Sequence, residues 1–533
     1  MSLSVAEILD EHVTFELESI DRMYLNVYIP RLQSERGIVG FFRDHRGHTF
    51  ASSALMAPMS AAFVASVKAF CHNNDIPLVA FKKGERKDDV AATHRARFEA
   101  DDGVVFVGVA QEKTPVVRTQ RRRNPATGQS YAWLYKSTAM VNAYYFYCID
   151  KDFGPFFIKF ASYFPYNAKV CINGHEWLKR QATRRGIAFE AMDNGIASSS
   201  DPKRIQALAH QLSARKIEVF VRRWLRLLPH PFTRQDRAAG YHYDISVLQA
   251  EFSLTQVLDR PLTGRVFFEE VIRENLDIGR PDRVALIFDR KVIKTTPGTF
   301  RTRVITAGVA PYLYVNYKHS HIKQYLKEGR ALRTETVVNN TRDFAVAKRL
   351  HNLPALREVG FYANRRLLSV QRISHDCAIG EDAFYGVTSP VTVSGQRASA
   401  LRFGDPRAQA LLAVLVSFTY LACGFSNKDM RRLLADLLGI DPSAMTQGRM
   451  TYDLRRLRLH GLIERIDGTH RYRVTDFGLR TALFLTRTYA RLLRPGLAEI
   501  VSTALPPPSQ LRSQFDRLHA SLDKRITDLR LAA

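Results

Sequence analysis

Apolar positions along the chain alternate between short, strand-like runs and runs with helical spacing. That pattern predicts an α/β (α+β) multidomain body. Tyr24–Tyr28 and Gly37–Phe42 read as strands and Phe50–Phe70 as a helix. Pro77–Phe81 and Gly103–Val109 read as buried strands, with helical Val90–Phe98 between them. Residues 111–136 are polar strands either side of a basic turn, Arg121–Gly128. Tyr144–Asp150 and Phe156–Ser162 form a predicted hairpin around Lys151–Gly154. Strand Ala168–Ile172 runs through Asn173-Gly174 into a helix from His175 to about Arg185. Asp201-Pro202 opens another helix, because Asp caps well and Pro suits the first turn. Broken helix continues to Leu228, and Pro229 and Pro231 mark a boundary.

From 232 to 398, Asp244–Leu258 and Arg265–Asn275 read as helices. Val284–Phe288 and Tyr312–Tyr317 read as strands. Ser320–Leu326 and Leu332–Asn339 are strands joined by Lys327–Arg330, and Thr341–Gln371 is largely helix. Val387–Leu401 is a connector rich in Ser, Thr, Val and Gly. Beyond Pro506-Pro-Pro508, Leu511, Phe515, Leu518, Leu522, Ile526 and Leu529 form an amphipathic tail-helix stripe. The stripe serves either a homodimer or its own domain. The expected domains are therefore 1–135, 136–230, 231–400, 401–500 and 506–533.

Charge narrows the function. Lys and Arg number 78 against 52 Asp and Glu, a formal +26, so a polyanionic partner is expected. Hydrophobic content of 46% is that of a folded protein. The five cysteines (Cys71, Cys148, Cys171, Cys377 and Cys423) form no CxxC pair, which argues against a zinc ribbon and a disulfide framework. The acidic start, MSLSVAEILDEH, lacks a signal pattern, and the apolar stretch near Ala410–Ala422 is too short to span a bilayer. A cytoplasmic, nucleoid-associated protein with no membrane partner is expected. No Walker A motif or dinucleotide fingerprint occurs, which excludes the usual ATPase and nicotinamide chemistries.

The C-terminal region carries the most specific pattern. Asp405-Pro406 opens a helix that runs to about Leu421, and Ser426–Asp429 caps a second, with Met430, Leu433, Leu434, Leu437 and Leu438 at helical spacing. A third helix sets Met450, Leu454 and Leu457 on one face. Gln447, Arg449, Tyr452, Arg455, Arg456 and Arg458 lie on the other. Strands Leu462–Ile466 and His470–Val474 flank an Asp467-Gly468 hairpin turn, and Thr475 caps a last helix. The stretch DLRRLRLHGLIER (453–465) with YRVTDFG (472–478) resembles the winged helix-turn-helix family of bacterial DNA-binding domains. The resemblance spans about 95 residues. It implies that the third helix enters a major groove and that the wing, with His470, Arg471 and Arg473, lies along the backbone or minor groove. Residues 402–494 hold 16 Lys/Arg and 8 Asp/Glu, a net +8. The chain as a whole resembles an uncharacterised bacterial protein family, which implies no activity.

Candidate chemistry lies further upstream. His319 and His321 alternate on a predicted strand as two metal imidazoles could. Tyr325, Lys327, Arg333 and Glu335 resemble, over about 25 residues, a hairpin of rolling-circle replication initiators. That resemblance implies that Glu335 helps hold a divalent metal while a tyrosine attacks a phosphodiester. Tyr325 is either that nucleophile or a core residue. Asp150 with Asp152, and Asp244 with Glu251 on a predicted helix face, are two further carboxylate pairs able to hold Mg²⁺ or Mn²⁺, or else ordinary turn and surface acids. Arg121, Arg122 and Arg123 offer a basic turn for nucleic acid. The expected function is duplex DNA binding through the C-terminal domain, with further DNA or RNA contacts by the basic body. The alternatives are a metal-dependent nuclease or nickase of a mobile element, and a transcriptional regulator.

Overall fold

The computed structural model describes residues 5–82, 84–277, 312–317, 319–375, 379–416, 424–489 and three positions (517, 520 and 521) near the C-terminus. They divide into two compact units, one within His12–Gly264 and Ala285–Arg365, the other within Met1–Glu11, Arg265–Val284 and Arg366–Ala533. The chain is mixed α/β.

The first unit holds strands β1 (Val13–Tyr28), β2 (Leu78–Ala80), β3 (Gly103–Arg123), β4 (Ser130–Asp150), β5 (Gly154–Ala161), β6 (Ala168–Asn173), β7 (Phe189–Met192), β8 (Gly195–Ser199), β9 (Asp244–Leu258), β10 (Tyr312–Tyr317), β11 (Ser320–Lys327) and β12 (Ala331–Val338). Ten of them form one sheet in the order β10–β11–β12–β9–β1–β6–β5–β4–β3–β2, and β7 pairs with β8 separately. Among the ten, only β2 and β3 pair parallel, so the sheet is mixed. This sheet corrects the expected boundaries. Position 135/136 falls inside β4, and β9 to β12 of the expected third domain pair into the same sheet as β1.

Three local expectations also change. Asp244–Leu258 is a strand, not a helix, and Gly37–Phe42 is helical, as helix Glu35–Gly40 followed by a π-helical turn Phe41–His45. The 341–371 span is two short 3₁₀ turns before helix Leu353–His375. The strand expected at Val284–Phe288, the tail stripe with its dimer, and Cys377 and Cys423 lie outside the described residues. Cys71 and Cys148 are buried thiols and Cys171 is half-buried.

Strand β9 lies at the sheet centre and is covered on both faces. Successive strand residues point to opposite faces. Phe252 meets helix Leu353–His375 at Gly360, where an added Cβ would lie 2.4 Å from the ring. On the other face the Ser253 hydroxyl lies 3.0 Å from Nε2 of His175, at the start of helix Gly174–Arg184. A strand covered on both faces shows no polar alternation, which is why its sequence imitates a helix. In β1, buried positions run Phe15, Leu17, Ile20, then Met23, Leu25 and Val27. The apolar alternation breaks at Ile20, and the register with β9 shifts between Ile20 and Met23, a bulge that holds Asp21 and Arg22.

Among the described residues one helix, Ser53–Asn73, is long and apolar enough to cross a membrane by length and composition. Here Met56, Phe63, Val67 and Cys71 bury into the core of the first unit.

The second unit contains β13 (Val391–Val393), β14 (Gln396–Ala398), β15 (Phe425–Ser426), β16 (Ile463–Arg465) and β17 (Arg471–Val474). The hairpin β13–β14 replaces part of the expected connector. Helices Pro406–Val416, Asn427–Leu438, Gln447–Leu459 and Asp476–Thr488 accompany a small sheet ordered β15–β17–β16. Local sequence explains each boundary. Ser426 and Asp429 form a reciprocal capping box, Gly439 ends its helix at φ 64°, and Thr446 and Thr475 cap the next two. Buried Asp453 binds Arg407, and Met450, Leu454 and Leu457 fill the core beside it.

Gly478 sits against the Leu462 carbonyl, where an added Cβ would fall 2.0 Å from the oxygen. In an open helix, Gly→Ala stabilises by about 1 kcal/mol. Here Gly478→Ala is expected to destabilise by about 1–3 kcal/mol through overpacking, read by urea unfolding. A stabilised variant would mean that this contact is not made.

Candidate functional sites

Two kinds of site emerge: a buried carboxylate cluster in the first unit, and solvent-facing cations on both units.

The bulge in β1 turns Asp21 toward the middle of the sheet. There Asp21, Glu251 of β9 and Glu335 of β12 place one ligand oxygen each within 4.8 Å of one another. Arg333, with no exposed surface, donates to Asp21 Oδ2 at 2.9 Å and lies 3.2 Å from His175 Nε2. Asn194 donates to Asp21 Oδ1 at 2.6 Å, and its carbonyl accepts from Arg333. The register sets Lys323 opposite Glu335 and Tyr325 opposite Arg333. The Tyr325 hydroxyl donates to Glu335 at 3.0 Å, and Lys323 Nζ lies 3.6 Å from the same carboxylate. Gln249 donates to Glu251 at 2.7 Å.

These environments fix charge states. Burial, then the neighbouring Glu335 and Asp21 carboxylates, raises Glu251 to about 7. Burial and then Asp21 also raise Glu335. Burial, then Glu335, raises the Tyr325 phenol well above its ordinary value. Burial, then Arg333, lowers His175 to about 3, so its imidazole is neutral at pH 7. The oxygen-only donor set suits a hard divalent ion such as Mg²⁺ or Mn²⁺. Asp21, Glu251 and Glu335 are the residues that would hold one, and the ion would supply Lewis-acid polarisation of a bound oxygen.

The structure therefore brings together Glu335, Tyr325, Arg333 and Glu251 from the expected residues, and adds Asp21 and Lys323. Asp21 gave no local signal, because its position depends on the bulge. The other expectations are corrected. His319 sits in the turn before β11 with its side chain 74% exposed, held by Asp343 at 3.2 Å. His321 pairs opposite Val337, and its ring lies 5.6 Å from that of Tyr314. Among the described residues, neither joins a group of converging metal ligands. Asp150 is buried and fully used. It accepts from the backbone of Asp152 and Phe153, from Trp224 Nε1 and from Arg223. Asp152 pairs with Arg184. Asp244 is exposed at the start of β9, about 20 Å from Glu251 at the rise of a strand, so this pair cannot share a metal.

On the second unit, helix Gln447–Leu459 buries Met450, Asp453, Leu454 and Leu457 and exposes Gln447, Arg449, Tyr452, Arg455 and Arg458. Arg449, Arg455 and Arg458 have no ion-pair partner among the described residues. Other expected contacts are already engaged. Arg456 binds the carbonyls of Ser399 and Ala400, Arg471 donates to the Gly424 carbonyl at 2.7 Å, and Arg473 pairs with Glu464. The Tyr452 hydroxyl meets Ser399 Oγ at 3.0 Å. His470 is exposed at the β16–β17 turn. Arg121, Arg122 and Arg123 are exposed at the end of β3. No protein-family model, curated protein or solved structure matches the chain.

The Glu251 shift has a signed consequence. The folded state holds a proton on Glu251 between about 4.5, the ordinary value, and about 7, where the unfolded chain does not. The associated stability is complete below about 4.5 and is lost as pH rises through about 7. Wild type should lose up to about 3 kcal/mol more than Glu251→Gln across that window in urea melts. Millimolar Mn²⁺ should restore stability at pH 8 to wild type but not to the variant. Parallel pH curves, unmoved by Mn²⁺, would contradict this account of the cluster.

Proposed function

We propose that the protein binds duplex nucleic acid, DNA in the first instance, through a winged helix-turn-helix within residues 401–500. In this reading helices Asn427–Leu438 and Gln447–Leu459 are the helix-turn-helix and β16–β17 the wing. The observation that carries it is the exposed face of Gln447–Leu459, where Arg449, Arg455 and Arg458 have no ionic partner among the described residues, on a helix whose other face is fixed in the core. Solvated cations on a rigid helix are free to replace counterions on a phosphate backbone. Gln447 and Arg449, in its first turn, are the candidates for base edges. Arg456, Arg471 and Arg473, held by intramolecular bonds, shape this surface more than they reach from it.

A metal-dependent nuclease or nickase is the second reading. It is favoured by the convergence of Asp21, Glu251 and Glu335, with Tyr325 bonded to Glu335. Its obstacle is burial: Asp21 and Glu335 are almost wholly covered, and the raised Tyr325 phenol is a poor nucleophile. Labelled DNA and RNA incubated with Mn²⁺ or with EDTA separate the two. The second reading requires cleavage that EDTA and Glu335→Gln both abolish.

For the first reading, Arg455→Ala with Arg458→Ala should weaken binding to a blunt duplex. It should also flatten the slope of log K against log salt by about 2, roughly one per lost phosphate contact. Both positions are exposed, so stability should stay within about 0.5 kcal/mol. Unchanged affinity and slope would remove this helix from the interface.

A further inference from the structure

The two longest strands do more than complete the sheet. β3 and β4 pair with each other from Gly103↔Ile149 to Arg123↔Ser130. β2 leaves β3 at Val109, and β5 joins β4 only from Ala143. Residues 111–123 and 130–142 therefore form a two-stranded ribbon that no third strand flanks among the described residues. Its middle is anchored by buried Val116, Val117 and Leu134, and the backbone N–H of Ser53 donates to Thr119 Oγ1 at 2.7 Å. Past that anchor every residue from Gln120 to Tyr131 is exposed. The connecting turn is internally braced: Gly128 N–H donates to the Asn124 carbonyl at 2.9 Å, and Ala126 N–H to Asn124 Oδ1 at 2.9 Å.

Register decides what the outer ribbon presents. Arg118 faces Tyr135, Gln120 faces Trp133 and Arg122 faces Tyr131. Directly opposed residues lie side by side and alternate between faces. These six therefore share one face, while Thr119 and Leu134 of the anchor share the other. The Arg122 guanidinium lies over the Trp133 ring, 4.5 Å from its centroid. Tyr131 is 44% and Trp133 37% exposed. From Lys113 to Asn142 the sequence holds six cations (Lys113, Arg118, Arg121, Arg122, Arg123 and Lys136) and no carboxylate.

We propose that this face of the ribbon binds single-stranded nucleic acid, with Tyr131 and Trp133 as stacking platforms for bases and Arg118 and Arg122 as phosphate contacts. The inference does not rest on the winged-helix reading, which concerns the other unit. Charge complementarity selects a polyanion, since from Lys113 to Asn142 the ribbon carries no acid to repel one, and Glu112 at its base is held by Lys87 and Lys159. Exposed aromatics select unpaired bases, because a duplex keeps its base faces stacked away from any protein ring. The braced turn and packed base hold the platforms in place before binding, which lowers the ordering cost.

The test uses the full chain, a fluorescein-labelled oligo-dT 30-mer and a blunt duplex of equal length. Tyr131→Ala with Trp133→Ala should weaken oligo-dT binding about tenfold or more and leave duplex affinity unchanged. Arg455→Ala with Arg458→Ala should do the reverse. Trp133→Phe should restore most of the oligo-dT affinity. Of the three tryptophans, Trp177 and Trp224 are buried, so quenching of the exposed Trp133 on oligo-dT binding gives a second readout. Loss of that quenching in Trp133→Phe would support the site. Wild-type oligo-dT affinity in the double aromatic variant would overturn it. So would adsorption to phosphatidylserine vesicles that depends on Tyr131 and Trp133 while oligo-dT affinity does not, since the face would then be a membrane surface.

Discussion

A guanidinium with no access to solvent must find its partners inside the protein, and Arg333 finds them in three places far apart in sequence. It binds Asp21 on the bulge of β1, His175 at the start of a helix, and the Asn194 carbonyl ahead of β8. Leaving either buried charge unpaired costs several kcal/mol. A one-residue slip of β12 would turn Arg333 and Glu335 to the opposite face and strand Asp21. The brace thus ties the last strand of the sheet to the first, across 312 residues. It also fixes the geometry of the carboxylate cluster, since Glu335 follows Arg333 by two residues on the same strand face. Gly195 is part of the same arrangement, because a Cβ there would lie 2.6 Å from the guanidinium.

The same logic organises the rest of the charge. Carboxylates inside the body are committed to particular cations. Asp236 holds Arg46 and His45, Asp150 holds Arg223, Glu112 holds Lys87 and Lys159, and Asp453 holds Arg407. The surplus of 26 positive charges therefore appears where acids are missing. Two such places stand out, the face of helix Gln447–Leu459 and the β3–β4 ribbon. They lie in different units, and we propose different nucleic-acid forms for them: duplex for the helix, whose exposed face is arginine-rich, and single strand for the ribbon, whose face interleaves arginine with aromatic rings.

The legibility of the sequence followed how local the determining interactions are. The C-terminal elements could be drawn almost to the residue, because Ser426, Gly439, Thr446, Gly461 and Thr475 act within one turn of themselves. The hairpins around Lys151–Gly154 and Lys327–Arg330 were legible for the same reason. Strand β9 imitates a helix because burial on both faces erases its alternation, and β1 is hard to read beyond Tyr24–Tyr28 because the polar stretch at its bulge, Asp21-Arg22, interrupts the apolar run. Those two strands lie at the centre of the sheet, so missing them led to three expected domains where one sheet runs through. Of the candidate site, Glu251, Glu335 and Tyr325 could be named but not assembled. Asp21 could not be found, since its role comes from contacts with residues 173 and more positions away. Asp150 and Asp152 were overread: acids at a turn were there to bind the backbone and arginines.

We propose that cations without internal partners among the described residues mark the nucleic-acid-binding surfaces. Hydrogen–deuterium exchange of the full chain on a forked DNA, with one duplex arm and one oligo-dT arm, tests it most directly. Slowed exchange is predicted in two peptides, residues 447–459 and 118–135, with protection of 118–135 lost when the single-stranded arm is removed. Protection that spares both segments, or that is centred on the Asp150–Asp152 turn where every acid and arginine is already paired, would contradict it.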